Sequence, residues 1–169
     1  MQVTSHRLGM GLGMAGITMM FIALTSAYVV RQGLDPNWRR VRMPDILLIN
    51  TLVLLASSAT LEKTRRARSA VNGWLGATIL LGIAFVGGQL TAWRQLSAQG
   101  VYLSTNAHSS FFYLLTGLHG LHLTGGILAL GYLASSVRRP NWERWSEATA
   151  LYWHFMGALW VYLLILLFG

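Results

Sequence analysis

The sequence predicts an all-α protein built as a bundle of five transmembrane helices. Of its 169 residues, 54% are hydrophobic and only 11% are charged, whereas a soluble domain carries about 25% charged residues. The mean hydropathy is +0.49. The apolar residues are grouped in five runs, each suited to crossing about 30 Å of hydrocarbon. No long polar segment separates these runs, so we expect one integral membrane domain over residues 1–169.

The predicted spans are separated by short polar or basic connections, and they cover about 8–30, 44–61, 73–96, 109–137 and 147–168. The first run is too long for the apolar core of a signal peptide, which has about 7–15 residues. Pro44 stands where the start of a helix tolerates proline. Arg138-Arg139-Pro140 ends the fourth run.

The basic residues predict the orientation of the chain. Five spans place eight Lys and Arg residues on the side of the N-terminus and five on the other side. Cytoplasmic loops carry the excess of basic residues in membrane proteins. We therefore expect a cytoplasmic N-terminus and an external C-terminus.

The net charge of +8 is attributed to basic residues in the loops. It does not indicate nucleic-acid binding, since no aromatic-basic groove or nucleic-acid motif accompanies it.

The most informative stretch runs from Phe111 to Tyr132 and places His119 and His122 at membrane depth. Ionisable side chains are costly there and usually face the bundle interior. Thr116, Gly120 and Thr124 follow at spacings of four, the pattern that lets a second helix approach closely. This span is therefore predicted to be packed against by other helices.

The depth of each remaining polar residue in the membrane, counted along its helix, predicts which of them can meet. At about 1.5 Å per residue, His122 and His154 fall at one level of the membrane. Asn50 and Gln89 fall at another level, roughly 6–9 Å below the outer surface by the same count. We expect a His122–His154 polar layer and an Asn50–Gln89 contact.

Histidines in this arrangement are compatible with several kinds of chemistry. His119 or His122 together with His154 could ligate a haem or a metal ion, but no carboxylate lies deep in any span. The chain has no cysteine, and hence no disulfide, thiolate metal site or cysteine nucleophile. No P-loop, HExxH or Ser-His-Asp set is present. The favoured interpretation is structural, with interhelical or lipid contacts made by His119, His122, His154, Gln89, Asn50 and Trp153.

A set of short motifs in a fixed order resembles subunit III of the haem-copper terminal oxidases, the cytochrome c and quinol oxidases. The motifs are Arg7-Leu8-Gly9-Met10, Asn50-Thr51 with Leu55, Ser57, Ser58 and Thr60, Gln89, Gly100-Val101-Tyr102, Phe111-Phe112, Thr116-Gly117, His119-Gly120-Leu121-His122, and Trp153-His154-Phe155 with Trp160. The block from His119 to His122 is the most specific of them. The resemblance covers nearly the whole chain.

The resemblance implies a non-catalytic subunit in a bacterial inner membrane, packed on the catalytic subunit I and beside subunit II and small subunits. In that family, haem and copper belong to the partner subunits. Subunit III holds phospholipid between its helices and sustains proton uptake into subunit I. Neither the electron donor nor an association with a nitric oxide reductase follows from the resemblance.

Two positions depart from the pattern of the family. Many members have a buried glutamate where this chain has Ile17, so a proton-relaying acid is not expected here. An acidic residue often follows the Trp-His-Phe motif, where this chain has Met156-Gly157-Ala158.

The alternative function is a stand-alone small membrane haem protein or a transporter, which would bind haem or substrate without partners.

Overall fold

The computed structural model describes the backbone of residues 2–36, 38–42, 44–66 and 71–169, and the side chains of these residues from Leu8 onward except that of Asn72. Within these ranges the secondary structure is helical. The helices are α1 Gln2–Leu34, α2 Ile46–Arg66, α3 Val71–Ala98, α4 Ala107–Ser135 and α5 Trp142–Phe168. All five are long and apolar enough to span a membrane, which confirms the predicted fold class.

The helices extend beyond the apolar runs where local signals allow it. α4 begins before the predicted span because Asn106 caps it: the Asn106 side chain accepts a hydrogen bond from the Ser109 amide at 2.8 Å, and the Asn106 amide donates to Ser109 Oγ at 3.1 Å. This reciprocal pair satisfies two amides that a helix start leaves free.

α3 ends at a left-handed glycine. Gly100 has φ of 77°, a conformation that costs glycine little because it lacks Cβ. The Gly100 amide donates to the Ser97 carbonyl at 3.0 Å, and the Val101 amide donates to the Leu96 carbonyl at 2.9 Å. This pair of bonds is a Schellman motif. It turns the chain out of α3 toward α4.

Four of the helices form a closed ring. α2 packs against α3, α3 against α4, α4 against α5, and α5 against α2. α1 lies outside this ring and packs against α4 and α5. The side of α1 that faces away from the bundle carries exposed apolar residues such as Leu12 and Met19.

Trp153 of α5 reaches the centre of the ring. It is fully buried, and its Nε1 donates to Ser57 Oγ of α2 at 3.0 Å. A Cβ added at Gly82 of α3 would lie 2.8 Å from the indole, and one at Gly126 of α4 would lie 3.2 Å from it. Both glycines therefore make room for an indole that contacts all three other helices of the ring.

A buried histidine, His108, links several segments at the end of the bundle where α1, α3 and α5 finish. The Val41 amide, in the α1–α2 connection, donates to His108 Nδ1 at 3.3 Å. Since Nδ1 accepts, Nε2 carries the proton and donates to the Leu167 carbonyl of α5 at 3.0 Å. The Arg40 guanidinium donates to the Gly169 carbonyl beside it. One imidazole thus fixes a connection, the start of α4 and the end of α5.

The Ser57–Trp153 bond gives a stability prediction. Ser57→Ala leaves the indole N–H buried without a partner, a loss of about 1–3 kcal/mol. Ser58→Ala, at the neighbouring partly buried position, is the matched control and should change stability little. The measurement is the thermal midpoint of each variant in detergent. Equal midpoints for the two variants would contradict the role assigned to this bond.

Candidate functional site

The candidate site is the set of polar side chains inside the membrane-spanning part of the bundle. Asn50 of α2 donates from Nδ2 to the Phe85 carbonyl of α3 at 2.8 Å. Gln89 of α3 donates from Nε2 to the Thr116 carbonyl of α4 at 2.6 Å. Both amides are buried. Asn50 binds the carbonyl of Phe85, which lies one turn before Gln89 on α3. Each amide thus binds a backbone carbonyl, and the described part of the chain contains no hydrogen bond between the two side chains.

Asn50 also lies close to the α3 backbone. A Cβ added at Gly88 would clash with the Asn50 amide group, because it would lie 2.8 Å from the Asn50 Cγ. Gly88 therefore allows the amide to reach the carbonyl of Phe85 one turn earlier. Asn50 links α2 to α3, and Gln89 continues the link to α4.

Tryptophan and tyrosine side chains complete the interhelical bonds. Besides Trp153, Trp160 of α5 donates from Nε1 to Thr51 Oγ1 of α2 at 3.0 Å. Tyr152 of α5 donates to the His122 carbonyl of α4 at 2.9 Å. Trp93 of α3 donates to Thr116 Oγ1 of α4 at 3.2 Å. Each aromatic residue packs its ring on the bundle, wholly or partly buried, and uses its one polar atom to reach the next helix.

His119 is the most deeply buried of the predicted histidines. Its side chain has no exposed surface. The imidazole centroid lies 5.2 Å from that of Trp160 and 6.1 Å from that of Phe85. Neither ring nitrogen has a hydrogen-bond partner among the described residues. The ring therefore contacts α3 and α5 through aromatic packing.

His122 and His154 have different surroundings. A ring nitrogen of His122, Nδ1, lies 2.7 Å from the Leu118 carbonyl of its own helix, and the ring packs edgewise on Phe21 of α1 at 6.2 Å. His154 is exposed on the surface of α5. No hydrogen bond joins the two histidines in the ranges that the structure describes. Equal depth thus does not place these two side chains in one hydrogen-bonded layer.

The histidines do not assemble a metal-binding cluster in the described residues. No group of three or more His, Cys, Asp or Glu side chains there could hold a metal ion. Phe85 and Trp160 pack against the His119 ring. The arrangement suits helix packing.

The two positions that depart from the family pattern are part of the packing. Ile17 of α1 packs against the core of the bundle. Met156 is fully buried in that core. A Cβ at Gly157 would lie 3.8 Å from Ser58 Oγ, so α5 passes close to α2 at this point. Apolar contacts occupy the places where acidic groups were considered.

A cleft of about 1190 Å³ opens at the end of α1, beside the start of α4. Its walls are apolar at Ala27, Val30 and Phe111. Arg31, Asp35 and Arg39 line it as well. The cleft therefore combines apolar walls with two guanidinium groups at one end of the bundle, a feature that the linear sequence did not reveal because α1 and α4 are far apart in the chain.

His108 is a buried polar residue that the sequence patterns do not indicate. The predicted span boundaries place it in the connection between the third and fourth spans, and its burial depends on the position of the α1–α2 connection and of the end of α5. The one local signal was the capping pair formed by Asn106 and Ser109, which extends α4 to include it.

Comparisons with known proteins agree with this architecture. The family described as cytochrome c oxidase subunit III matches residues 3–169. Cytochrome c oxidase subunit 3 of Synechocystis sp. is 33% identical over 88% of this chain and 69% of its own length. Probable cytochrome c oxidase subunit 3 of Mycobacterium tuberculosis is 37% identical over 70% of this chain. Cytochrome bo(3) ubiquinol oxidase subunit 3 of Pseudomonas aeruginosa is 34% identical over 68% of this chain.

The chain covers only part of some of these relatives, 63% of the mycobacterial protein and 59% of the Pseudomonas protein. The family match nevertheless extends over almost every residue, and the five helices each have the length and apolarity of a membrane span. The chain belongs to the cytochrome c oxidase subunit III family, and it is a multi-pass subunit of a haem-copper oxidase complex in the bacterial plasma membrane.

Proposed function

We propose that this chain is a non-catalytic subunit that packs on the catalytic subunit I of its oxidase, stabilises it, holds lipid and supports proton uptake during oxygen reduction. Haem and copper are assigned to the partner subunits. The observation that carries the proposal is the family match over residues 3–169. The use of the buried polar groups supports it, since Asn50, Gln89 and Trp153 all bind neighbouring helices.

The proposed support of proton uptake is indirect. Helix α1 has Ile17 where a proton-relaying glutamate was considered, and this side chain packs against the bundle core. A hydrocarbon side chain cannot exchange a proton. The chain would therefore sustain uptake by holding subunit I and the surrounding lipid in place, and the proton path would lie in subunit I.

The cleft beside α1 is our candidate for a lipid site. Its apolar walls suit acyl chains, and the guanidinium groups of Arg31 and Arg39 suit an anionic headgroup. Arg31 lies 3.6 Å from Asp35, and its side chain is 58% exposed. It thus keeps most of its surface available to a headgroup. With a cytoplasmic N-terminus, the cleft would open to the outer leaflet.

The orientation can be tested by reporter fusion. The excess of basic residues on the N-terminal side places the C-terminus outside the cytoplasm. A C-terminal fusion to a phosphatase that is active only outside the cytoplasm should be active, and a C-terminal fluorescent protein that matures only in the cytoplasm should be dark. The reverse pattern would overturn the orientation.

The proposed partners predict the composition of the purified complex. Mild detergent extraction through a tag on this chain should recover a larger haem-bearing subunit, identified by mass spectrometry of the eluate and by the haem absorption of the complex. Recovery of the chain as a stable species with no larger membrane subunit would contradict the proposal.

The lipid proposal predicts an effect of charge at the cleft. Arg39→Gln removes a charge-assisted hydrogen bond to an anionic headgroup, worth about 1.5–3 kcal/mol, so lipid affinity should fall about tenfold or more. Arg94→Gln is the matched control, because Arg94 is an exposed arginine at the same end of the bundle and outside the cleft. The measurement is the anionic phospholipid retained per complex, by mass spectrometry. Equal retention by the two variants would exclude the cleft as the site.

A further inference from the structure

Three buried polar atoms without partners lie in the interface between α3 and α4. They are Gln89 Oε1 and the two ring nitrogens of His119, none of which has a hydrogen-bond partner among the described residues. Both side chains are at least nine-tenths buried, with Gln89 4% exposed and His119 0% exposed. Buried polar groups are nearly always satisfied, by protein or by ordered water. These atoms therefore call for a ligand.

The two side chains belong to one site. Gln89 Nε2 donates to the Thr116 carbonyl, and a Cβ at Gly120 would lie 3.7 Å from Gln89 Oε1. Thr116, His119 and Gly120 share one face of α4, because residues three and four apart are neighbours on a helix. The His119 ring packs on Phe85, one turn before Gln89 on α3. The His119 ring therefore packs against the turn of α3 that precedes Gln89, on the same α3–α4 interface.

The orientation of the glutamine amide is determined by its partner. A carbonyl accepts only, so the amide nitrogen must face the Thr116 oxygen and Oε1 must face away from it. Oε1 needs a donor. A neutral imidazole offers one N–H donor and one acceptor nitrogen, but it does not reach Oε1 within hydrogen-bond distance in the structure. A bridging group must therefore be able both to donate and to accept.

The surroundings define what that group is. Phe85 and Trp160 enclose the imidazole, and no acidic side chain lies deep in the spans. An ion would have to be buried without a counter-charge, which is costly. A water molecule donates and accepts, carries no charge and commonly fills such sites when two or more polar partners are available.

We propose that Gln89 and His119 bind a water molecule that bridges Oε1 of the glutamine to a ring nitrogen of the histidine. This bridge would join α3 to α4 at a point where the side chains do not bond directly. The inference rests on the chain's own helices and does not depend on the proposed function, so its failure would leave that proposal unchanged.

The test is a structure of the purified oxidase complex containing this chain, at a resolution that shows ordered water. We expect a density peak at about 2.7–3.2 Å from both Gln89 Oε1 and a His119 ring nitrogen. The absence of such a peak in the native complex would overturn the inference, and so would a direct bond between the two side chains.

Two histidine variants sharpen the test. His119→Phe should remove the peak, since the ring nitrogens are lost. His122→Phe is the matched control, because a ring nitrogen of His122 lies at hydrogen-bond distance from the Leu118 carbonyl of its own helix, and it should leave the peak in place. An unchanged peak in His119→Phe would assign the water to other groups and refute the bridge. The native structure alone decides the question if His119→Phe does not assemble.

Discussion

The structure depends on the cost of an unpaired polar group in hydrocarbon. Lipid offers no hydrogen-bond partner, so a buried N–H or hydroxyl must be satisfied by the protein or by water held inside it. The indole of Trp153 shows how this constraint is met: it lies at the centre of four helices and donates its one proton to Ser57 of α2. Gly82 and Gly126 make the room that this position requires. The closed ring of α2, α3, α4 and α5 follows from contacts of this kind.

The same constraint favours the supporting role that we propose for this chain. An amide or indole that binds a neighbouring helix is held in one orientation and is not free to bind substrate. The donor nitrogens of Asn50, Gln89 and Trp160 are all bound in this way. Among the described residues, the exposed surfaces include the apolar outer side of α1 and the cleft lined by Arg31 and Arg39. These surfaces suit contact with lipid and with a larger membrane partner.

The sequence predicted the fold well because span length and apolarity are properties of each helix alone. Depth counted along the helices predicted a contact between Asn50 and Gln89, and the structure shows each amide bound to a backbone carbonyl instead. The sequence did not predict their partners. The rotation of a helix about its axis decides which carbonyl a side chain reaches, and depth carries no information about rotation. His122 and His154 differ for the same reason: one packs on Phe21 and the other faces outward.

His108 and the cleft show a second limit. His108 is buried by the α1–α2 connection and the end of α5, and the cleft is formed by α1 together with the start of α4. Both depend on segments that are distant in the chain, which come together only after the bundle has formed. Local patterns cannot report such contacts.

We propose that His119, His122 and His154 make helix or lipid contacts and do not ligate haem. The most direct test is an optical titration of the purified chain, separated from its partner subunits, with haem. We predict no Soret shift that depends on His119, His122 or His154, and the same spectrum for the native chain as for a variant with all three changed to phenylalanine. A stoichiometric haem complex of the native chain that is lost in this variant would contradict the account.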